Sequence, residues 1–464
     1  MAAKRKDRSG LTHAAALAWL DRRVNYERGL PAGQGSFGLA RMRRLLAAIG
    51  SPQEKIPVVH VAGTKGKGST VAMIAAILDE SGHRVGCYLS PHVHRVEERI
   101  SVNGRPITTA ALVAAFATVI PAVDALDRAA ARGGRGPTWF EVLTAVAMLH
   151  FARSRVAIAV LETGLGGRLD ATNVSQPVLS VITSISLDHM AVLGNTIAKI
   201  ATEKAGIIKR GIPVVSGATA PAARRVIAAT AARRQAPLLQ LGRDFQATHI
   251  ASGEAGSSPF GAHAVVIDLP EELALAGGST AHPSSASYQV GMPGLHQAAN
   301  AALAVVAAKK LDALGYRVPN RAIAEGLRKT VLPARVQVLA HKPLVVVDAA
   351  HNVASMQALL DTLAGPLAAF APRVLVFAAS ADKQLEKMLA AAAGRFDHVI
   401  VTRYATNPRA APVERLLAAC RAAGLPKAGA AASPQEAVKL ARQFAGKSGL
   451  VCIAGSFFLA AEIG

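Results

Sequence analysis

The sequence predicts an α/β protein in two parts, an N-terminal P-loop-type parallel-sheet domain followed by a smaller Rossmann-like α/β domain. Three observations predict it. Residues 56–62 form a β-rich run that ends in a glycine-dense loop, Gly63-Thr64-Lys65-Gly66-Lys67-Gly68-Ser69-Thr70, with an apolar helical pattern behind it. Residues 156–161 are continuously apolar, the pattern of a parallel strand buried on both faces. From residue 344 a new alternation begins, with strand patterns at 344–348, 374–377, 399–402 and 450–454 separated by helical ones.

At 464 residues the chain is too long for one ordinary core, so more than one domain is expected. A hydrophobic content of 51% supports buried cores and argues against disorder. The cysteines Cys87, Cys420 and Cys452 are too far apart for a disulfide framework or a zinc motif, and no HExxH pairs the histidines. The net charge of +22 admits nucleic acid, a membrane surface or polyanionic small substrates as partners. The cations are dispersed over Ala-rich helices and aromatics are only 4% of the chain, so a basic solvated surface is the reading taken and no nucleic-acid partner is expected. The most apolar stretch, 110–123, carries Thr118 and Pro121, so no membrane span is expected. The basic start, 1–10, reads as a tail with no apolar signal region behind it, and a cytoplasmic protein is expected.

Taken in order, helices are expected at 14–24 and 39–49, with a Gly-rich loop at 29–38 between them. The glycines of 63–70 let backbone N–H groups turn inward around an anion. The helix expected at 71–78 adds its N-terminal partial charge, Lys67 adds a full one, and Ser69 and Thr70 offer hydroxyls. The spacing departs from GxxxxGK[ST], because Gly68 separates Lys67 from Ser69. A second strand, 84–89, leads into Ser90-Pro91-His92-Val93-His94-Arg95. The strand 156–161 delivers Glu162 to a polar loop running to Asn173, and the strand 178–182 delivers Asp188-His189 likewise. A carboxylate at a strand's C-terminal end is where α/β sheets place chemistry. A helix at 197–205 carries Glu203-Lys204, which reads equally as a solvated ion pair. Residues 242–290 are irregular, with a small β extension as the reading. An Ala-rich helix beginning at Gly294 carries His296, Gln297 and Asn300, and a break follows near 331–335.

Together these segments resemble the folylpolyglutamate synthases and bifunctional dihydrofolate synthases of the Mur ligase superfamily. The motifs are VAGTKGKGST (61–70), LSPHVHRVEERISVNG (89–104), LETGLGGRLDATN (161–173), SISLDH (184–189), EKAGII (203–208), HQAANAALA (296–304), LPAR (332–335), VVDAAHN (346–352) and GSFFLAAEI (455–463). The order of so many separate motifs is what makes the resemblance specific. Lys65 stands where many bacterial members have Asn. Ala349 and Ala334 stand where glycines are frequent.

The resemblance implies an ATP-binding (P-loop) domain with the folate site at 1–333 and a Rossmann-like glutamate ligase domain at 334–464. It implies a monomeric acid–amino-acid ligase that takes ATP, L-glutamate and a reduced folate or dihydropteroate, with Mg2+ as cofactor. Thr64, Lys65, Gly66, Lys67, Gly68, Ser69 and Thr70, with Asn300, Arg335, Asp348 and His351, match residues that hold the nucleotide. Ser90, Glu162 and His189 match magnesium ligands, and Lys204 matches a lysine that is carbamylated in the family and then serves the metal. Lys67, His189 and Lys204 are the catalytic candidates, and Phe140 and Asp170 the folate-facing ones. Two other readings compete. A Mur ligase acting on a nucleotide-sugar peptide is disfavoured by the short segment before the phosphate-loop strand. A basic nucleic-acid-associated P-loop ATPase leaves LETGLGGRLDATN and DAAHN unexplained.

Overall fold

The computed structural model describes residues 10–27, 37–130, 135–252, 262–270, 285–425 and 427–463, together with Phe260 and Leu273. The tail expected at 1–10 and the loop expected at 29–38 fall almost wholly outside the described residues. The N-terminal part is built on an eight-stranded sheet. Its strands are β1 (Val58–Ala62), β2 (Val85–Tyr88), β3 (Ile100–Val102), β4 (Arg105–Pro106), β5 (Ile158–Glu162), β6 (Pro177–Ile182), β7 (Val214–Ser216) and β8 (Leu238–Gln240), in the order β4-β3-β2-β5-β1-β6-β7-β8. All pairings from β2 to β8 are parallel, and β3 and β4 extend one edge in antiparallel fashion. The phosphate-loop strand β1 is therefore central, between the strands that carry Glu162 and Asp188-His189 to its two sides.

Strand alternation sorts β1 into two cores. Val59 and Val61 face helices Lys67–Glu80, Leu295–Ala313 and Asn320–Lys329. Val58 faces helices Leu39–Ala48, Thr109–Ala130 and Trp139–Arg153. The helix Lys67–Glu80 begins four residues before the expected one, so Lys67 sits in its first turn and the anion-binding amides belong to the helix itself. Gly66 caps it at φ +83°, a conformation that glycine adopts without strain. The same helix packs tightly on Asn320–Lys329, where a Cβ on Gly326 would lie 2.6 Å from Ile77 Cα. Gly326→Ala is expected to lower stability by about 2 kcal/mol through overpacking, read as a lower denaturation midpoint with the active-site loops untouched.

The helix Thr109–Ala130 contains the apolar stretch 110–123 noted in the sequence. It runs unbroken through Pro121 and, by length and composition, is apolar enough to cross a membrane. Leu112, Phe116, Val119 and Val123 are nevertheless buried against the other helices of that face. The irregular stretch beyond β8 holds a three-stranded antiparallel sheet of β9 (Gln246–Ser252), β10 (Ala262–Asp268) and β11 (Ser285–Gln289), which packs on the same core as Leu295–Ala313.

The C-terminal part has a six-stranded sheet: β12 (Gln337–His341), β13 (Leu344–Val347), β14 (Arg373–Phe377), β15 (His398–Val401), β16 (Ala428–Ala430) and β17 (Leu450–Ala454). The order is β12-β13-β17-β14-β15-β16, parallel except at the β12 edge. Helices cover both faces. Both large sheets thus present carboxyl ends of parallel strands, the edge at which open α/β sheets bind ligands.

Candidate active site

A cavity of about 550 Å³ lies where these two sets of strand ends meet. The phosphate loop, Ser90, Glu162 and Asp188-His189 line it from the N-terminal sheet; Arg335, Asp348, His351 and Lys383 line it from the C-terminal part. Phe140, Asp170 and Asn300 line it as well. Of the residues singled out from the sequence, Thr70 and Lys204 do not reach the wall. Thr70 is fully buried, and its Oγ1 has no hydrogen-bond partner among the described residues.

The phosphate loop is held from behind. Thr64 N donates to Ser184 O at 2.7 Å, and Ser186 N donates to Thr64 Oγ1 at 3.1 Å. A Cβ on Gly66 would lie 2.1 Å from Asn300 Oδ1, so only glycine lets the loop lie against the head of helix Leu295–Ala313. Asn300 is itself oriented by donating to Gln297 Oε1 at 2.8 Å.

Charge is concentrated around this loop. Lys67 Nζ lies 3.8 Å from Glu162 Oε1, while Ser90 N donates to Glu162 Oε2 at 3.0 Å. Burial pushes the Glu162 carboxyl above its usual range, and Lys67 opposes that. Lys65 Nζ donates to Asp188 Oδ2 at 3.0 Å and lies 3.3 Å from His351 Nε2. His351 Nδ1 meets Ala349 O at 2.9 Å, which makes Nδ1 the donor and Nε2 the acceptor toward Lys65. Burial, then Lys65, hold the His351 ring neutral down to about 3. Burial opposes ionisation of Asp188, but Lys65 and His189 outweigh it and keep this carboxyl well below the usual range. His189 has φ +48°; its side chain is 43% exposed, and partial burial of the ring lowers it to about 4 against the pull of Asp188. A neutral imidazole offers a lone pair at ordinary pH.

Several residues are more committed to the protein than sequence reasoning implied. Asp348 accepts from Val336 N at 2.9 Å and from Ala350 N at 2.8 Å, so it fixes both chain segments around Arg335 and His351. Arg335 lies over the Phe457 ring, 4.7 Å from its centroid. Asp170 accepts from the backbone amides of Gly164, Leu165 and Thr172. Phe140 packs against Gly164, where a Cβ would come 2.7 Å from the ring. Lys383 was not singled out from the sequence. It lies in an ordinary helix-start context, Asp382-Lys383-Gln384, and only the fold brings it beside Lys65, His189 and His351.

Lys204 does not form the ion pair with Glu203. Glu203 Oε1 accepts from Arg168 at 2.8 Å, while the buried Lys204 Nζ donates to Gly63 O at 2.6 Å. Burial and then Lys67 lower its amine to about 7. Between about 7 and about 10 the unfolded chain, with an ordinary lysine, therefore binds more protons than the folded one, and this group makes stability rise with pH across that window. Lys204→Met is expected to raise the denaturation midpoint at pH 6, with the gain shrinking toward pH 10 in bicarbonate-free buffer. A gain independent of pH would contradict the buried, depressed amine.

Glu162, Ser90 and His189 all line the cavity. No group of three His, Cys, Asp or Glu side chains among the described residues could hold a metal alone. That donor set fits magnesium, which keeps waters and phosphate oxygens and needs only one or two protein carboxylates.

A phosphate loop facing a second Rossmann-like sheet across a shared cavity is the arrangement of a Mur-type ATP-dependent ligase. The Mur ligase middle domain matches residues 61–308, and the Mur ligase glutamate ligase domain matches residues 334–457. The chain is 38% identical to the dihydrofolate synthase/folylpolyglutamate synthase of Bacillus subtilis, over 92% of this chain and 94% of that protein. It is 36% identical to the enzyme of the same name from Mycobacterium tuberculosis, over 82% of this chain and 76% of that one. The M. tuberculosis folylpolyglutamate synthase complexed with ADP superposes with a TM-score of 0.83 at 32% identity, covering 97% of this chain and 98% of that one. Escherichia coli FolC in complex with DHPP and ADP superposes with a TM-score of 0.77 at 30% identity, covering 97% of each. The chain belongs to the folylpolyglutamate synthase/dihydrofolate synthase family of the Mur ligase superfamily.

Proposed function

We propose that the chain joins L-glutamate to the carboxylate of a reduced folate, of dihydropteroate, or of both, at the expense of ATP. The observation that carries this reading is that one cavity gathers Lys67, Glu162 and His189 from one sheet and Asp348, His351 and Lys383 from the other. An amide does not form readily from a free carboxylate, because its oxygen is a poor leaving group. Transfer of the γ-phosphoryl group to that oxygen gives an acyl phosphate and ADP. The glutamate amine then forms the C–N bond, the C–O bond to phosphate breaks, the amine loses a proton, and inorganic phosphate leaves. The chain's part is charge neutralisation, alignment and exclusion of water.

In this reading the loop 64–70, Asn300 and Arg335 hold the nucleotide, and Lys67 offsets charge on the transferring group. Asp348 and His351 bring the second sheet to the nucleotide, so domain closure would shield the acyl phosphate. Glu162, Ser90 and His189 would hold magnesium, which supplies charge neutralisation for the phosphates when bound. The depressed Lys204 amine is partly uncharged near neutrality, the form that can add carbon dioxide, and a carbamate there would be a further anion for the metal. The folate lies along Phe140 and the loop fixed by Asp170. Residues 1–333 and 334–464 form the two functional units, working as a cytoplasmic monomer.

The deciding assay supplies ATP, magnesium and glutamate with either dihydropteroate or tetrahydrofolate, and reads product masses. One or more glutamyl additions are expected. Phosphate release stimulated by DNA or RNA, with no glutamylated product, would replace this reading with that of a nucleic-acid-associated ATPase.

A further inference from the structure

One buried titratable side chain has no part in the chemistry above. His60 sits in the middle of β1, three residues before the phosphate loop, and is fully buried. Its ring projects to the sheet face opposite Val59 and Val61, toward the short 3-10 helix Ala171–Val174. There Nε2 lies 2.8 Å from Thr172 Oγ1. The Thr172 hydroxyl is already committed, since it donates to Asp170 Oδ1 at 2.5 Å. His60 must therefore be the donor at Nε2, which leaves Nδ1 as an acceptor, and that atom has no partner among the described residues.

A buried acceptor without a donor is destabilising, and an apolar side chain in this central strand would avoid it. Stability thus gives no reason for a histidine here, whereas orientation does. Asp170 Oδ1 takes both the hydroxyl and the amide of Thr172, and Oδ2 takes the amides of Gly164 and Leu165, each at 3.0 Å. One carboxylate therefore ties the two ends of the loop that follows Glu162. That loop carries Leu165 and Leu169 into the cavity and supports the Phe140 ring at Gly164.

We infer that His60 and Thr172 are positioning residues: a buried relay, His60 to Thr172 to Asp170, sets the folate-facing loop from the strand that carries the phosphate loop. The inference rests on the folate lying along that loop. Its consequence is asymmetric, because the phosphate loop has its own anchors on Ser184 and Ser186.

The test compares Thr172→Val, which removes the hydroxyl at nearly constant volume, with Thr172→Ser, which retains it. Thr172→Val is expected to raise the KM for the folate about tenfold, the loss of one hydrogen bond to a charged group, while KM for ATP stays within about twofold. Thr172→Ser restores the folate KM. His60→Leu shifts the folate KM in the same direction without lowering the denaturation midpoint, and His60→Gln, which keeps a donor, shifts it less. A folate KM unchanged in folded Thr172→Val, or an ATP KM that rises in step with it, overturns the relay. Should Thr172→Val fail to fold, equal kinetics of His60→Leu and wild type overturn it instead. A wild type that does not glutamylate folate overturns the reading of the cavity and the relay with it, whereas wild-type turnover with unmoved variants overturns the relay alone.

Discussion

Lys67→Ala is expected to lower the rate of glutamylation by about 10³-fold while leaving the fold intact, the scale of removing a preorganised charge from a phosphoryl-transfer site. The lysine stands at the start of helix Lys67–Glu80, where alanine is well tolerated, so secondary structure should survive. What is lost is the cation 3.8 Å from Glu162 in a buried setting. Glu162 is already pushed up by burial and held back first by Lys67, so in the variant it takes up a proton more readily and becomes a poorer partner for magnesium. The measurement is initial rate with saturating ATP, beside a thermal melt. Wild-type turnover in a folded variant would remove Lys67 from the chemistry. Lys67→Arg should recover only part of the rate, because a planar guanidinium cannot occupy the same point beside Glu162.

His189→Ala should reduce turnover by about 10²-fold and raise the magnesium concentration needed for half-maximal rate. Two effects must be separated here. The residue lies at φ +48°, where alanine is strained, so a loss could come from the backbone alone. His189→Asn is the control, because asparagine tolerates that conformation but lacks an imidazole. If the asparagine variant is as active as wild type, the ring has no role and the position matters only for the turn. If both variants lose activity and both need more magnesium, the neutral imidazole is the functional group. Because that ring stays neutral down to about 4, the wild-type profile should show no loss from its protonation between pH 6 and 8.

Much of the fold was legible because its signals are local. A glycine-rich loop between a strand and a helix reads the same in any context, and continuous apolar runs such as 156–161 mark strands buried on both faces. The loop's helix starts at Lys67, four residues before the pattern predicts, because glycine and serine lower helix propensity in the sequence and the turn around the loop overrides that. The β9–β11 sheet has only a weak local signal, since its strands pack on helix Leu295–Ala313 and its neighbours.

The site divides in the same way. The sequence by itself determined which residue types stand at the strand ends: Lys67 after β1, Glu162 ending β5, Asp188 and His189 beyond β6, and Asp348 after β13. Those positions follow from short-range pattern, because strand periodicity fixes where a loop begins. Only the tertiary structure decided partners. It gave Lys65 to Asp188 and His351 on opposite sides of the cleft, and turned Lys204 away from its neighbour Glu203 onto Gly63. It used both oxygens of Asp170 to tie its own loop and brought in Lys383 from a distant segment. Partner choice and burial depend on groups more than a hundred residues apart in several of these contacts, and burial sets which protonation state each one holds.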